Sequence, residues 1–156
     1  MQLPGPMPGS FKGAMVSGVV KLKKGQLCYF RKLSRDTDYE ILAYLIGEVI
    51  SPTITIIDSF EYTSQYAQQT ENSVCWFQED YDHVKEKAES EGKRIVGFIH
   101  SHPQWDAVMS EADYKVCISE GYRVCGIVST YGNKTRARFW STDSAIPFKQ
   151  VYIRGG

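Results

Sequence analysis

Residues 94–101 read RIVGFIHS, an apolar run rich in β-formers, and Pro103 follows two residues later. Such a run reads as a buried strand. Side chains at i and i+2 of a strand share a face, so His100 and His102 leave it together on one side. Pro103 biases His102 towards an extended backbone and ends the ladder, which places the pair at the strand's exit. After a short loop, Ser110 opens a helical stretch, SEADYKVCISEG, that stops at Gly121. Asp113 falls in the first turn of that helix, from where it can turn back towards the end of the strand.

Two imidazoles and a carboxylate are good zinc ligands. Three protein ligands leave one coordination position open, as in a catalytic zinc site. The spacing therefore predicts that His100, His102 and Asp113 hold Zn2+. Ser110-x-x-Asp113 is also a helix-capping pattern, with Asp where Glu or Gln is usual. The two readings coexist, because a hydroxyl can accept from a helix N–H and still donate its own proton. His83 lies in a charged segment and reads as solvated.

A metal-activated water also needs a proton acceptor, and candidates lie upstream in DYEILAYLIGE, residues 38–48. With these residues the chain resembles the JAMM (MPN+) metalloproteases, the zinc-dependent deubiquitinases and their archaeal and bacterial relatives. H-S-H-P followed by S-x-x-D matches the family motif at each fixed position. Residues 40–47, EILAYLIG, match the family's E-x-x-G-x-L/M-x-G at Glu40, Leu45 and Gly47 and depart from it at Ala43. The resemblance covers about residues 38–140 and implies that Glu40 is the catalytic carboxylate, with Glu48 as the fallback. It implies cleavage of an isopeptide or peptide bond after the C-terminal Gly-Gly of ubiquitin or a ubiquitin-like modifier. On that reading zinc-activated water would be the nucleophile, Glu40 the general base and Ser110 a donor to the oxyanion. It also implies a possible partner subunit or proteasome-like assembly. Residues 26–31, QLCYFR, look more like a strand than the helix many relatives have there.

The chain has 156 residues, enough for one domain with a single core. Its 18 basic residues balance 18 acidic ones, which points away from nucleic acid and anionic membranes as partners. No apolar run approaches the roughly 20 residues of a membrane span. The four cysteines, Cys28, Cys75, Cys117 and Cys125, form no C-x-x-C pair and read as reduced thiols of a cytoplasmic protein.

Pro4, Pro6 and Pro8 among several glycines mark residues 1–18 as a flexible leader, with a single catalytic domain over 19–156. Strands are expected at about 26–31, 40–49, 53–61, 94–101, 122–131 and 134–141. Gly132-Asn133 suggests a tight hairpin turn between the last two. Helices are expected at about 77–91, with Phe77, Tyr81, Val84 and Ala88 as the buried stripe, and from Ser110. This order fits an α/β fold: a three-layer α/β sandwich with a central, mostly mixed sheet. The same fold, cytidine-deaminase-like, follows from the resemblance.

The polar stretch from Thr63 to Phe77 is the candidate modifier-binding flap, and Trp105 the aromatic expected to face the site. Four other readings stand beside this one. A zinc deaminase lacks its P-C-x-x-C segment here. A thiol protease at Cys75-Trp76 lacks the expected surroundings. A non-catalytic scaffold of the same fold would be expected to have lost a zinc ligand. A hydrolase of the same chemistry acting on small peptides or thiocarboxylated carrier proteins is the alternative that an assay against several substrates separates. The terminal Arg154-Gly155-Gly156 looks like a modifier tail and is assigned no function.

Overall fold

The structure, a computed structural model, describes residues 18–62, 78–103, 105–132, 134–143 and 146–154. Along the chain these form β1 (Val19–Lys23), α1 (Lys24–Arg35), β2 (Leu42–Ser51), β3 (Ile54–Tyr62) and α2 (Gln78–Ser90). Then come β4 (Arg94–His102), α3 (Glu111–Glu120), β5 (Val124–Ser129), β6 (Arg136–Ser141) and β7 (Lys149–Ile153). Seven strands among the described residues make one sheet, in the order β6-β5-β4-β2-β3-β1-β7. It is mixed: β4 runs parallel to β5 and antiparallel to β2, while β1 runs parallel to both β3 and β7.

Each face of the sheet is covered, so the architecture is a three-layer α/β sandwich. Val84 and Ala88 of α2 and Tyr114 and Cys117 of α3 pack with Leu42, Tyr44, Phe98, Cys125 and Ile127 on one face. Leu27 and Phe30 of α1 pack with Ala43, Leu45, Ile99, Val128 and Phe139 on the other. Strand β4 is therefore buried on both faces, as its composition predicts, and only Arg94 at its start is exposed. The outer edge of β6 is closed by the chain leading into β7, with Phe148 N–H donating to Phe139 O at 2.7 Å and Ser141 N–H to Ile146 O at 2.8 Å. Backbone groups that would otherwise face water at a sheet edge are paired in this way.

Two glycines are required where strands kink and close in. A Cβ on Gly97 would stand 1.8 Å from the carbonyl oxygen of Val124, and one on Gly47 would stand 1.8 Å from that of Ile56. Both glycines lie next to a shift in strand register, between Leu45 and Ile46 against β4 and between Ile46 and Gly47 against β3.

The expected strand at 26–31 is helix. Leu27, Phe30 and Ser34 are the buried residues of α1, a helical spacing, whereas Tyr29 faces outward. Of the aromatic β-formers there, Tyr29 lies on the exposed side of an amphipathic helix and Phe30 on its buried side. Strands β1 and β7 were not expected; both are short, and both lie at or next to the β7 end of the sheet. The β5–β6 connection is longer than a two-residue turn, because the register Ser129↔Arg136 leaves residues 130–135 between the strands. Gly132 in this connection has φ +81°, the left-handed conformation glycine favours. The leader up to residue 17, the flap at 63–77 with Cys75, Trp76 and Phe77, Asn133 and the terminal Gly155-Gly156 lie outside the described residues. Among the described residues, no helix is long and apolar enough to cross a membrane.

Candidate metal centre

The end of β4 delivers His100 and His102 to the face covered by α2 and α3. Both are buried, and their ring centroids are 4.5 Å apart. Ser101 between them points away and fastens the chain that carries Glu40. Its N–H donates to Ile41 O at 3.0 Å, and its Oγ accepts from Ile41 N–H at 2.9 Å. Glu40, one residue earlier, is thereby held against the histidines, 5 % exposed, with Oε1 accepting from His100 Nδ1 at 3.2 Å.

Asp113 arrives from the other side, on the first turn of α3. Ser110 and Asp113 form a reciprocal capping box. Ser110 Oγ accepts from Asp113 N–H at 3.1 Å, and Ser110 N–H donates to Asp113 Oδ2 at 3.0 Å. The cap orients the carboxylate. Oδ1 lies 2.9 Å from His100 Nε2, and Oδ2 lies 3.6 Å from His102 Nε2. Two ligand atoms each about 2.0–2.1 Å from a tetrahedral zinc stand about 3.3 Å apart, and each of these contacts, made by a different carboxylate oxygen, is near that value.

Two further features fit a cation. His100 Nε2 is buried and makes no hydrogen bond, since the nearby Asp113 oxygen lies off the direction in which the ring could donate. A buried polar nitrogen without a partner is costly unless something else satisfies it. His102 is oriented from behind, its Nδ1–H donating to Asp106 O at 3.0 Å, which leaves Nε2 as the nitrogen with a lone pair for a ligand. Among the described residues, the Glu40–His100–His102 and His100–Asp113–Cys125 groups each place one ligand atom per residue within 4.8 Å of the others.

The electrostatics agree. Burial by itself pushes the His100 imidazole down, but the Asp113 and Glu40 carboxylates outweigh it and raise its pKa to about 9. Burial likewise raises Asp113, and is outweighed by His100, His102 and the Ser110 N–H, which hold its carboxyl well below the usual carboxylate range. Without a metal, a proton on His100 occupies the place of positive charge between two acidic side chains.

All five residues singled out in the sequence thus converge: Glu40, His100, His102, Ser110 and Asp113. Glu48 does not, being exposed near the opposite end of β2, where Gly47 pairs with Arg94. His83 is exposed on α2. Three contributors escaped the sequence reading. Asp106 acts through its main-chain carbonyl, which any residue could provide, and Cys125 reaches the site from β5, a strand with no motif of its own. Ser101 was readable in H-S-H-P, but its role depends on pairing with a strand sixty residues away.

The loop from Pro103 to Ser110 is tied down from both sides. Ser129 Oγ donates to Trp105 O, and Trp140 Nε1–H donates to Ala107 O at 3.0 Å. Arg136 Nη1 lies 3.2 Å from Asp106 Oδ1. The Trp105 side chain stands 60 % exposed, and Tyr39, Val108 and Tyr131 in segments bordering the site are also exposed apolar side chains.

Comparison with known proteins accords with the fold. In solved structures the chain is similar to a protein from Desulfitobacterium hafniense, at 15 % identity and a TM-score of 0.66, covering 87 % of this chain and 94 % of that one. It is similar to a JAB1/MPN domain protein from Archaeoglobus fulgidus, at 15 % identity and a TM-score of 0.55, covering 86 % and 99 %. A Salinibacter ruber protein matches at 20 % identity with a TM-score of 0.57, covering 86 % and 91 %. No curated protein matches the sequence. The family model describing prokaryotic homologs of the JAB domain matches residues 29–143, and the chain belongs to that family.

Proposed function

We propose that this protein is a zinc-dependent peptidase that cleaves the bond after the C-terminal Gly-Gly of a ubiquitin-like modifier. The observation that carries the reading is the convergence of His100, His102 and Asp113 around His100 Nε2, a buried nitrogen that makes no hydrogen bond, with Glu40 beside them. His100, His102 and Asp113 would hold the metal, which supplies Lewis acidity and lowers the pKa of water at the site. Glu40 takes the proton of the attacking water and passes it to the leaving amine. The Ser110 hydroxyl accepts from Asp113 N–H and keeps its own proton to donate to the developing oxyanion. Asp106, through its carbonyl, holds the His102 ring in the tautomer that keeps Nε2 unprotonated.

A protein substrate is supported by the exposed Tyr39, Trp105, Val108 and Tyr131, since exposed aromatic and apolar groups beside a polar site suit a macromolecular partner. A narrow passage to the site would favour a Gly-Gly tail, because only glycine lets a backbone pass so closely. Hydrolysis of a ubiquitin C-terminal amide, of di-ubiquitin and of carrier proteins ending in Gly-Gly tests the reading. It is measured with metal, with chelator, and with zinc restored. Cleavage stopped by the chelator and revived by zinc is the expected result. Cleavage that survives the chelator overturns the metal mechanism and returns attention to Cys75. Bound zinc with no cleavage of any of these substrates favours a scaffold or a hydrolase that needs a partner subunit.

A further inference from the structure

We infer that the centre has a second, inner metal position, held by His100, Asp113 and Cys125, that takes soft cations and leaves His102 out. This rests on reading the site as a metal centre, though not on the proposed cleavage. The three side chains are buried and offer ligand atoms within 4.8 Å of one another. Their placement follows from the sheet. β4 and β5 run parallel with Phe98 opposite Cys125 and His100 opposite Ile127, so Cys125 stands one same-face position further in than His100. Cys125 has no solvent exposure, and His100, whose Nε2 has no hydrogen-bond partner, belongs to this group and to the outer one.

The two donor sets differ in chemistry. His100, His102 and Asp113 offer two nitrogens and an oxygen, which suit zinc with an open position. Replacing His102 by Cys125 substitutes a thiolate for an imidazole, and a thiolate, which zinc also accepts, strengthens the hold on softer cations such as cadmium. Because His100 and Asp113 belong to both sets, one cation excludes the other. A cation at the inner position lies towards Cys125, on the β5 side of the site. Soft cations therefore block the centre by moving the metal inward as well as by displacing zinc.

The test is a titration of metal-depleted protein with cadmium, following the thiolate-to-metal charge-transfer absorption in the ultraviolet. Wild type is expected to develop the absorption with one cadmium bound, and His102→Ala to keep it. Cys125→Ser and Cys125→Ala, checked for native circular dichroism, are expected to lose it. Their cadmium affinity should fall at least about tenfold, the scale on which even supporting groups around a metal matter, while zinc affinity holds. Cys117→Ser should leave the absorption in place. Cadmium bound without thiolate absorption in wild type, or an absorption that survives loss of Cys125, overturns the inner position and leaves the outer site intact. Failure of both zinc and cadmium to bind overturns the inner position together with the metal reading of the whole site.

Discussion

The division of labour at the site is sharp enough to be separated by single substitutions. Glu40 touches His100 but contributes no ligand to the proposed zinc set, so Glu40→Gln should retain zinc and lose about 10²–10⁴ in turnover, the usual worth of a general base. Metal content and hydrolysis measured on the same sample check this; loss of zinc from the variant would make Glu40 a ligand instead. His100→Ala and Asp113→Ala should lose the metal outright. Ser110 has an observed role as a cap and a proposed one as a donor, and its substitutions can part them. Ser110→Ala removes the cap, at about 1 kcal/mol of stability, whereas Ser110→Gly costs only a few tenths. Both remove the hydroxyl, so both should lower turnover by about 10²–10³. Turnover that follows stability across the two variants would leave Ser110 as a cap alone.

Strand β4 carries the histidines, and its position is set by a backbone contact. Gly97→Ala would press a methyl into the Val124 carbonyl across the β4–β5 ladder, where there is no flexible side chain to give way. The expected loss is more than about 2 kcal/mol, towards the upper end of what overpacking costs. It should appear as a lower urea midpoint at unchanged slope. Since β5 also bears Cys125, the variant should weaken cadmium binding too. A fully stable Gly97→Ala protein would mean that the two strands can separate more than their register implies. Helix α3 acts through its start: the capping box that ends the loop and begins the helix also aims the Asp113 carboxylate at both histidines.

For the whole molecule, the buried ion pair links stability to pH. His100 has its pKa raised to about 9 in the folded protein, from about 6.5 unfolded. Its contribution is therefore fully present below about pH 6.5 and is lost as pH rises through about 9. Asp113 has its pKa held low, so its share is present above the unfolded value and is lost as pH falls well below it. The two shifts describe one interaction, present in full between about pH 4 and pH 6.5. Thermal unfolding in chelator should show the metal-free protein losing stability from pH 6 to pH 9, a trend that Asp113→Asn flattens. Zinc, by replacing the proton, should remove that alkaline loss. An identical pH trend in wild type and Asp113→Asn would show that the pair does not set it.

Much of this was legible in the sequence because the decisive information is local. Alternation along a strand puts His100 and His102 on one face, a helix cap puts Asp113 one turn in, and a buried run identifies the central strand. Those are short-range consequences of backbone geometry. The order of elements likewise sufficed for a sandwich with a mixed sheet. What escaped depends on contacts between distant segments. Residues 24–35 became an amphipathic helix although they contain β-formers, because the opposite face of the sheet needed covering and Leu27, Phe30 and Ser34 fall on one side of a helix. The pairing of Ile41 with Ser101, which brings Glu40 to the histidines, belongs to a register between strands sixty residues apart. The nearness of Cys125 belongs to the parallel pairing of β4 with β5. The sequence by itself determined which groups can meet a metal and on which elements they stand; only the tertiary structure decided which others stand behind them, because the packing of separate segments, unlike the period of a strand or a helix, is written in no short stretch of chain.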